Sequence, residues 1–201
     1  MEKLDFQKLN GLLPAIIQDA QTKQVLMLGF MNKEALEKTQ ITGKVTFYSR
    51  SKKRLWTKGE TSGNFLNVVQ TKIDCDSDTL LILVHPTGPV CHKGQFSCFG
   101  KEDFSLAVLQ KIIADRKKHQ PANSYTTSLF KAGLDRIIQK LGEEAVEVVI
   151  AAKNSNEEDF KNEISDLLFN IIVLLQEKEI SLQEIEQFLG QRHENMKKNK
   201  H

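Results

Sequence analysis

The sequence predicts two domains of different class, a mainly β α+β domain followed by an all-α domain. In the first half, short runs rich in aliphatic and β-branched residues alternate with glycine-rich loops, which is typical of strands. In the second half, apolar residues recur at helical spacing over long runs with a single Pro/Asn/Ser/Thr-rich interruption. A length of 201 residues suffices for two small domains that each bury a core. We place the domains at residues 1–114 and 115–201.

The N-terminal domain contains five runs with the composition of strands. In chain order they read LLPAIIQ, KQVLMLGF, KVTFYS, FLNVVQTKI and TLLILVH. Between the second and third runs, NKEALEKTQ has the pattern of a short helix, with Asn32 as its expected N-cap and Gly43 closing it. The basic, glycine-containing stretch SRSKKRLWTKGETSGN is interpreted as a loop.

The C-terminal domain is predicted to be helical throughout. The expected helices are DFSLAVLQKIIADRKKH, SLFKAGLDRIIQKLGEEAVEVVIAAKN, NEEDFKNEISDLLFNIIVLLQEKE and SLQEIEQFLGQRHENM. The stretch QPANSYTTS separates the first two, because Pro, Asn, Ser and Thr favour turns and loops.

Composition and charge argue against several function classes. The formal net charge of +2 gives no electrostatic reason to expect a nucleic-acid or membrane partner. No apolar run reaches transmembrane length, and the first residues, MEKLDFQKLN, lack the basic and apolar regions of a secretory signal. We therefore expect a cytoplasmic protein that acts on small molecules.

All three cysteines fall within one short stretch, DCDSDTLLILVHPTGPVCHKGQFSCF. Clustered cysteines in a chain without an export signal favour metal ligation over a disulfide framework. The thiolates of Cys75, Cys91 and Cys98 suit zinc, and three ligands with an open fourth position are typical of a catalytic zinc. His92 is a candidate either for the fourth ligand, which would close the site, or for a proton shuttle beside the zinc-bound hydroxide.

The same stretch places three carboxylates at alternate positions, Asp74, Asp76 and Asp78. Carboxylate oxygens suit Mg²⁺ and thiolates suit zinc, so we predict two metal sites in place of one. If the segment is extended, the three aspartates project to one side and Cys75 to the other. The alternative is an acidic turn between two strands together with three free buried thiols.

These motifs resemble those of the phosphoribosyl-AMP cyclohydrolase family of histidine biosynthesis. The resemblance lies in DCDSDTLLILV and GPVCHKGQFSCF, extends upstream through MNKEAL, TFYSRSKKRLWTKGETSGN and FLNVVQTKIDCD, and covers roughly residues 12–100. It implies zinc at the three cysteines, Mg²⁺ at the three aspartates, and hydrolytic opening of the purine six-membered ring of phosphoribosyl-AMP. His92 is then our candidate for the donor of the proton that the departing nitrogen needs.

The basic loop would be the substrate-binding segment of such an enzyme. Its hydroxyls and guanidinium suit phosphate, its glycines allow close backbone approach, and Trp56 offers a ring to stack on a base. The predicted substrate-binding residues of the loop are Ser49, Arg50, Ser51, Trp56, Gly59, Ser62, Gly63 and Asn64. The alternative is a solvated surface loop in which Trp56 only anchors the segment to the core.

Two helices of the C-terminal domain carry acidic residues inside strongly apolar runs. The acids, and an amide one turn after them, are Glu143, Glu144, Glu147, Glu163, Asp166 and Asn170. Spacings of three and four residues put the acids of each helix on a shared face. Burying a carboxylate is costly unless it is paired or bound to metal, so two facing helices would form a cage for Mg²⁺. The alternative is ion pairing with Arg136, Lys140 or Lys153, or acids at the edges of apolar stripes.

The pairing of ExxE with a later ExxD resembles the MazG-type nucleotide pyrophosphohydrolases, and KLGEEAVEVVIAAKN resembles the phosphoribosyl-ATP pyrophosphohydrolase family. The likeness covers roughly residues 115–200 and implies a MazG-like helical domain that cleaves phosphoribosyl-ATP to phosphoribosyl-AMP and pyrophosphate. Mg²⁺ would neutralise the polyphosphate and aid attack by water. We expect Glu144 and Glu147 to be catalytic and Arg136 and Lys140 to bind phosphate oxygens.

The two halves together suggest a bifunctional enzyme for consecutive steps of histidine biosynthesis, in which the C-terminal domain makes the substrate of the N-terminal domain. We expect zinc and Mg²⁺ as cofactors and a homodimer whose two subunits share the N-terminal site. Two alternatives are a structural zinc module with four permanent ligands, and a helical dimerisation domain whose carboxylates pair with lysines or face solvent.

Overall fold

The computed structural model describes residues 4–8 and 10–198. It divides into two compact units, the first ending at Asp103 and the second beginning at Phe104. In its described part, the first unit contains strands and a helix, whereas the second unit is helical. The predicted fold classes and their order along the chain are confirmed.

The boundary predicted at 114/115 falls inside a helix, Leu106–His119, and so lies later than the division in the structure. This helix is continuous, and Ser105 caps its first turn by accepting a hydrogen bond from the Val108 amide at 3.3 Å. The outer limits predicted for the two domains, residues 1 and 201, lie outside the described residues.

The five predicted strands and the predicted helix of the first unit are confirmed. Asn32 caps the helix by accepting from the Ala35 amide, and Gly43 has the left-handed φ of 66° that closes it. The described elements are β1 (Leu13–Asp19), β2 (Val25–Met31), α1 (Lys33–Thr42), β3 (Thr46–Ser49), β4 (Arg54–Thr57), β5 (Leu66–Ile73) and β6 (Leu80–Pro86).

Four of these strands form one sheet in the order β2-β1-β6-β5. β1 is antiparallel to β2 and parallel to β6, whereas β5 and β6 form an antiparallel hairpin. Alternate side chains of β1 are buried, as expected for a strand that covers a core with one face. The core cluster includes Leu13, Ile17, Leu66 and Phe47. This sheet fixes the position of the turn between β5 and β6, which carries the three aspartates.

The other two strands, β3 and β4, form a separate antiparallel pair. β4 occupies RLWT within the stretch interpreted as a loop, and that interpretation was wrong there. The register pairs Phe47 with Trp56 and Ser49 with Arg54. A strand this short owes its existence to pairing with β3, because its basic flanks give no alternating pattern of their own.

The second unit is helical over the four runs predicted, with two corrections. Its elements are α2 (Leu106–His119), α3 (Tyr125–Ala132), α4 (Leu134–Ala151), α5 (Glu157–Glu177) and α6 (Leu182–Lys198). α3 begins inside the stretch predicted as an interruption, because Ser124 caps it by accepting from the Thr127 amide. The run predicted as one helix is broken at Gly133, whose φ of 86° separates α3 from α4.

α4 packs against α5, which also contacts α2. The core of this unit includes Ile113 of α2, Ile137 of α4, and Ile172 and Val173 of α5. The packing brings the acidic stripes of α4 and α5 together. Of the helices in residues 4–8 and 10–198, none combines the length and apolar character that crossing a bilayer requires.

Candidate active sites

The three aspartates of the first unit lie in the turn between β5 and β6. One carboxylate oxygen from each of Asp74, Asp76 and Asp78 lies within 4.8 Å of the others. The extended geometry considered for this segment was wrong, because the chain turns back with Ser77 at a φ of 62°. The turn nevertheless gathers the same three carboxylates. Three hard oxygen donors at this separation fit a small divalent cation.

Asp74 fixes the shape of this turn. Its Oδ1 accepts hydrogen bonds from the backbone amides of Asp78 and Thr79, both at 3.0 Å. Partial desolvation raises the pKa of Asp74, but the hydrogen bonds from Thr79 and Asp78 outweigh it, so the pKa is lowered. Asp74 is therefore ionised at neutral pH, and its Oδ1 holds the turn in place.

A lysine from the N-terminal segment enters the acidic turn. Lys8 Nζ donates to Asp76 Oδ2 at 2.8 Å, to the Asp76 carbonyl oxygen at 3.1 Å and to Asp78 Oδ2 at 3.2 Å. The Asp5 amide donates to the Ser77 carbonyl oxygen at 2.8 Å and holds this segment on the turn. The hydrogen bond to Asp76 holds the pKa of Lys8 well above its usual range. The ammonium thus occupies the position that a divalent cation bound by Asp76 and Asp78 would take.

The three cysteines are free thiols, and the thiol of Cys98 lies beside that of Cys91. Burial, followed by the neighbouring Cys91, raises the pKa of the Cys98 thiol. Cys75 is exposed in the acidic turn. Within the described ranges, no group of three or more potential ligands with atoms inside 4.8 Å includes a cysteine. One chain therefore offers zinc a pair of soft ligands, whereas a tetrahedral zinc takes four.

The loop that carries this thiol pair is anchored on β2. The Cys98 amide donates to the Leu26 carbonyl oxygen at 2.8 Å. The buried Ser97 hydroxyl donates to the Val25 carbonyl oxygen at 2.8 Å and accepts from the Phe99 amide at 2.9 Å. These bonds fix the backbone on both sides of the Cys98 thiol.

His92 lies in the turn that follows Cys91. The Gly94 amide donates to the Cys91 carbonyl oxygen at 3.0 Å, and the Cys91 amide donates to the Gln95 carbonyl oxygen at 3.0 Å. The turn leaves His92 exposed beside the buried Cys91. Zinc ligand and proton shuttle both stay open as predictions for this imidazole.

The β3–β4 hairpin carries the three residues predicted to bind phosphate. The Ser49 hydroxyl lies 3.4 Å from the Ser51 hydroxyl. Between them, the Arg50 guanidinium lies 3.9 Å from the centroid of the Phe30 ring. Arg50 and Ser51 are exposed and Ser49 is half-buried, so the hairpin presents a cation and two hydroxyls on its surface.

Trp56 lies on β4 and packs on Phe47 with ring centroids 5.0 Å apart, joining the core cluster. This contact is the anchoring role given above as the alternative to base stacking. Its role in substrate binding stays a prediction, since the indole is only half-buried.

The connection after β4 is tied to the cysteine-bearing loop. The Asn64 side-chain amide donates to the Pro89 carbonyl oxygen at 3.1 Å, and the Thr87 hydroxyl donates to the Gly63 carbonyl oxygen at 3.1 Å. Gly59 has a φ of 94°, and a Cβ there would lie 2.5 Å from the Asn64 carbonyl oxygen. The predicted substrate loop and the loop of Cys91 are therefore one connected surface.

Sequence reasoning missed two residues of this connection, Thr87 and Gly88. A Cβ at Gly88 would lie 2.5 Å from Asn64 Oδ1, so a larger residue there would displace the Asn64 side chain from its present position. The Ser62 hydroxyl accepts from the Asn64 backbone amide at 3.3 Å and holds the same residue from the other side. The sequence did contain a signal for this contact. One glycine-containing loop precedes β5 and another follows β6, and the pairing of these strands in one hairpin brings the two loops together.

In the second unit, carboxylates of α4 and α5 converge. One oxygen from each of Glu144, Glu163 and Asp166 lies within 4.8 Å of the others, and Glu144 is only 6% exposed. Repulsion by Glu144 is the main cause that raises the pKa of Glu147, with desolvation and Glu163 adding to it, so Glu147 lies beside this group. A partly buried group of like charges with hard oxygen atoms fits a divalent cation.

Glu143 turns away from this group. Its carboxylate lies 3.0 Å from Lys140 Nζ and 3.5 Å from the Arg136 guanidinium, and it accepts from the Gln139 amide at 2.9 Å. The hydrogen bond from Lys140 is the main cause that lowers the pKa of Glu143. Lys140 also lies 2.7 Å from Glu144 Oε1. Glu143 therefore forms the ion pairs with Arg136 and Lys140 that were the alternative to metal binding. Glu144 contacts Lys140 and also lies among the acids of α5.

Comparison with known proteins relates each unit to an enzyme family. The family model for phosphoribosyl-AMP cyclohydrolase matches residues 27–100, and that for phosphoribosyl-ATP pyrophosphohydrolase matches residues 106–193. The histidine biosynthesis bifunctional protein HisIE of Bacteroides thetaiotaomicron is 55% identical over 195 residues, which cover 95% of this chain and 96% of that protein. The HisIE protein of Escherichia coli strain K12 is 51% identical over 96% of both chains. That of Yersinia pestis is 51% identical over 96% of this chain and 97% of its own.

Proposed function

Because the chain belongs to the bifunctional HisIE family of histidine biosynthesis, we propose a metal-dependent mechanism for each of its two hydrolytic reactions. The C-terminal unit hydrolyses phosphoribosyl-ATP to phosphoribosyl-AMP and pyrophosphate, and the N-terminal unit opens the purine ring of that product. The observation that carries the metal proposal is that each unit holds its own group of three converging carboxylates. We place both reactions in the cytoplasm, because the three cysteines are free thiols.

For ring opening, we propose that Cys75, Cys91 and Cys98 hold zinc. Zinc held by these thiolates would supply hydroxide at neutral pH, because coordination lowers the pKa of water to about 7. His92 then donates a proton to the ring nitrogen that departs as the C–N bond breaks. The exposure of His92 next to Cys91 supports this role, because a residue that donates a proton to the substrate must be accessible to the substrate.

The aspartate turn is proposed to hold Mg²⁺ for the same reaction. Asp74 Oδ1 accepts from the turn amides, while the carboxylates of Asp76 and Asp78 are bonded to Lys8. Binding of Mg²⁺ therefore requires Lys8 to withdraw from the turn. The released ammonium and Arg50 would then both be available to a substrate phosphate.

The β3–β4 hairpin and the connected loops after β4 and after β6 are proposed to bind phosphoribosyl-AMP. Ser49, Arg50 and Ser51 supply hydrogen-bond donors for phosphate, and the segment from Gly59 to Asn64 supplies close backbone approach. The bonds of Asn64 and Thr87 support this assignment, because they hold the segment beside the loop of Cys91.

For pyrophosphate release, we propose that Glu144, Glu147, Glu163 and Asp166 hold Mg²⁺. The bound cation supplies neutralisation of the polyphosphate charge. Glu147 is proposed to accept a proton from the attacking water, a role supported by its position beside Glu144 and Glu163.

Lys140 and Arg136 are proposed to bind the phosphates of phosphoribosyl-ATP. Both lie against Glu143, at 3.0 and 3.5 Å, so Glu143 holds the two cations in place instead of binding metal. We propose this positioning role for Glu143 in place of the metal-binding role predicted from the sequence.

We also propose that a second copy of the chain completes the zinc site. Cys91 and Cys98 lie together, whereas Cys75 is in the acidic turn outside that pair. Co-refolding inactive Cys75→Ser chains with inactive Cys91→Ser chains should give heterodimers with one intact site. Ring-opening activity should return to about a quarter of the wild-type level for random pairing. No recovery, with heterodimers confirmed by mass, would place all three cysteines in one chain.

Separation of the two activities by mutation tests the two-site scheme. Glu147→Ala should abolish pyrophosphate release and leave ring opening within a few-fold of wild type, whereas Cys91→Ser should do the reverse. Glu186→Ala, at an exposed acid of α6, is the matched control and should change neither rate. Loss of both reactions through either active-site change, in protein that remains folded, would contradict the scheme.

A further inference from the structure

In its described part, the helical unit contains a buried side-chain amide whose nitrogen is hydrogen-bonded and whose oxygen is not. Asn170, on α5, is 2% exposed. Among the buried side chains of the described residues, its Oδ1 and the Thr127 hydroxyl lack a hydrogen-bond partner. An unpaired polar atom in a protein interior costs stability, so its retention calls for a ligand that the polypeptide itself does not supply.

The orientation of this amide is fixed by its other end. Asn170 Nδ2 donates to the carbonyl oxygen of Asp166, one helical turn earlier, at 2.9 Å. A carbonyl oxygen accepts only, so the amide cannot be reversed and Oδ1 is the atom without a partner.

Asn170 also lies on the helical stripe that carries the acids of α5. Glu163, Asp166 and Asn170 follow at intervals of three and four residues, which puts them on one face. That face meets α4, because Glu163 and Asp166 each place an oxygen within 4.8 Å of Glu144. Glu144 on α4 and Asn170 on α5 are both buried, at 6% and 2% exposed.

We propose that Asn170 Oδ1 is a further oxygen ligand of the cation held by Glu144, Glu147, Glu163 and Asp166, an inference that rests on the function proposed above for this group. Amide oxygens are hard donors of the kind that Mg²⁺ and Ca²⁺ accept alongside carboxylates. A neutral ligand suits this position, because a further carboxylate would add repulsion to a group in which the acids already repel one another.

If Asn170 had a purely structural role, that role would explain the hydrogen bond made by Nδ2 but not the burial of Oδ1 without a partner. Leucine has nearly the shape of asparagine and buries no polar atom, so a position that only fills the α4–α5 contact would be more stable with leucine. The two roles therefore predict different effects of the same substitution on stability and on cation binding.

The test uses the full chain in an Asp76→Asn, Asp78→Asn background, so that binding of Mn²⁺ reports on the helical unit. Free Mn²⁺ is counted by electron paramagnetic resonance, and the melting temperature is measured in EDTA and in Mn²⁺. Asn170→Leu should weaken Mn²⁺ binding by about tenfold or more and should raise the melting temperature in EDTA. Asn170→Asp should bind Mn²⁺ at least as tightly as the background, melt lower in EDTA, and gain more from Mn²⁺.

Two controls separate the possible failures. Asn162→Leu, at an exposed amide of the same helix, should change neither quantity. Glu163→Gln should abolish tight Mn²⁺ binding, and if it does not, the proposed metal site itself fails. If Glu163→Gln loses binding while Asn170→Leu stays within twofold of the background, only the role of Asn170 is overturned. If Asn170→Leu does not fold, the test relies on Asn170→Asp. The inference is then overturned if Mn²⁺ raises the melting temperature of Asn170→Asp no more than it raises that of the background protein.

Discussion

The two carboxylate groups of this molecule differ in how their negative charge is balanced. In the turn between β5 and β6, Lys8 Nζ lies 2.8 Å from Asp76 and 3.2 Å from Asp78, and the three aspartates are at least partly exposed. In the helical unit, Lys140 contacts Glu144 from one side, and repulsion by Glu144 raises the pKa of Glu147. Lys8 therefore pairs with two of the three acids in the turn, whereas Lys140 pairs with Glu144 of the helical group, in which repulsion still raises the pKa of Glu147.

The difference follows from where each group sits. Water screens like charges in an exposed turn, so three aspartates there cost little, and the ammonium of Lys8 offsets part of their charge. In the helical group Glu144 is buried and Glu163 is half-buried, so screening of their repulsion is weaker there than in the turn. We infer that a cation at the turn must compete with an ammonium, and that a cation between the helices relieves strain.

The largest expected difference between the two units is in how their activities recover when divalent cations are removed and then added back one at a time. Dialysis against EDTA should silence both reactions, and Mg²⁺ alone should then restore only pyrophosphate release, because thiolates require zinc. Both rates are measured on the same preparation, with zinc content checked by atomic absorption. Recovery of ring opening by Mg²⁺ in zinc-free protein would overturn the zinc assignment.

Replacing the internal counter-ion should sharpen the comparison at the turn. Lys8→Met should tighten Mn²⁺ binding at the aspartates by about two- to fivefold, the range expected for an exposed ion pair. The measurement is a Mn²⁺ titration in a Glu163→Gln background, which silences the helical group. Lys72→Met removes an exposed charge near the turn without this contact, so an equal effect of both changes would contradict direct competition.

The smallest expected effect distinguishes two acids on one turn of α4. Glu143 has a lowered pKa because of Lys140, so it stabilises the fold above the ordinary glutamate pKa, and that stability is lost as pH falls through its lowered value. Glu147 has a raised pKa, so its ionised form destabilises the fold, and the cost disappears as pH falls below the raised value.

Melting curves in EDTA should therefore move in opposite directions. Glu143→Gln should lower the melting temperature at neutral pH and Glu147→Gln should raise it, with both differences shrinking in acid. Saturating Mn²⁺ should reverse the benefit of Glu147→Gln, since it removes a proposed ligand. A shift of the same sign for both variants would mean that the two acids share one environment.

Much of this protein is determined by local sequence. The caps of α1 at Asn32 and Gly43 and the strand runs follow from patterns a few residues long. The kinds of ligand follow from side-chain chemistry, because thiolates and carboxylates prefer different metals wherever they lie. Local rules failed where a neighbour supplies the structure, as at β4, which needs β3 for its hydrogen bonds.

Only the tertiary structure decided which of these groups meet. Lys8 reaches Asp76 across 68 residues, and the packing of α4 on α5 selects Glu144 while leaving Glu143 to Lys140 and Arg136. It also buries the amide of Asn170, which its position in the sequence does not reveal. A periodic pattern indicates which side chains share one face of a helix or strand. The distance from such a side chain to a residue on another element is set by packing, which no local pattern contains.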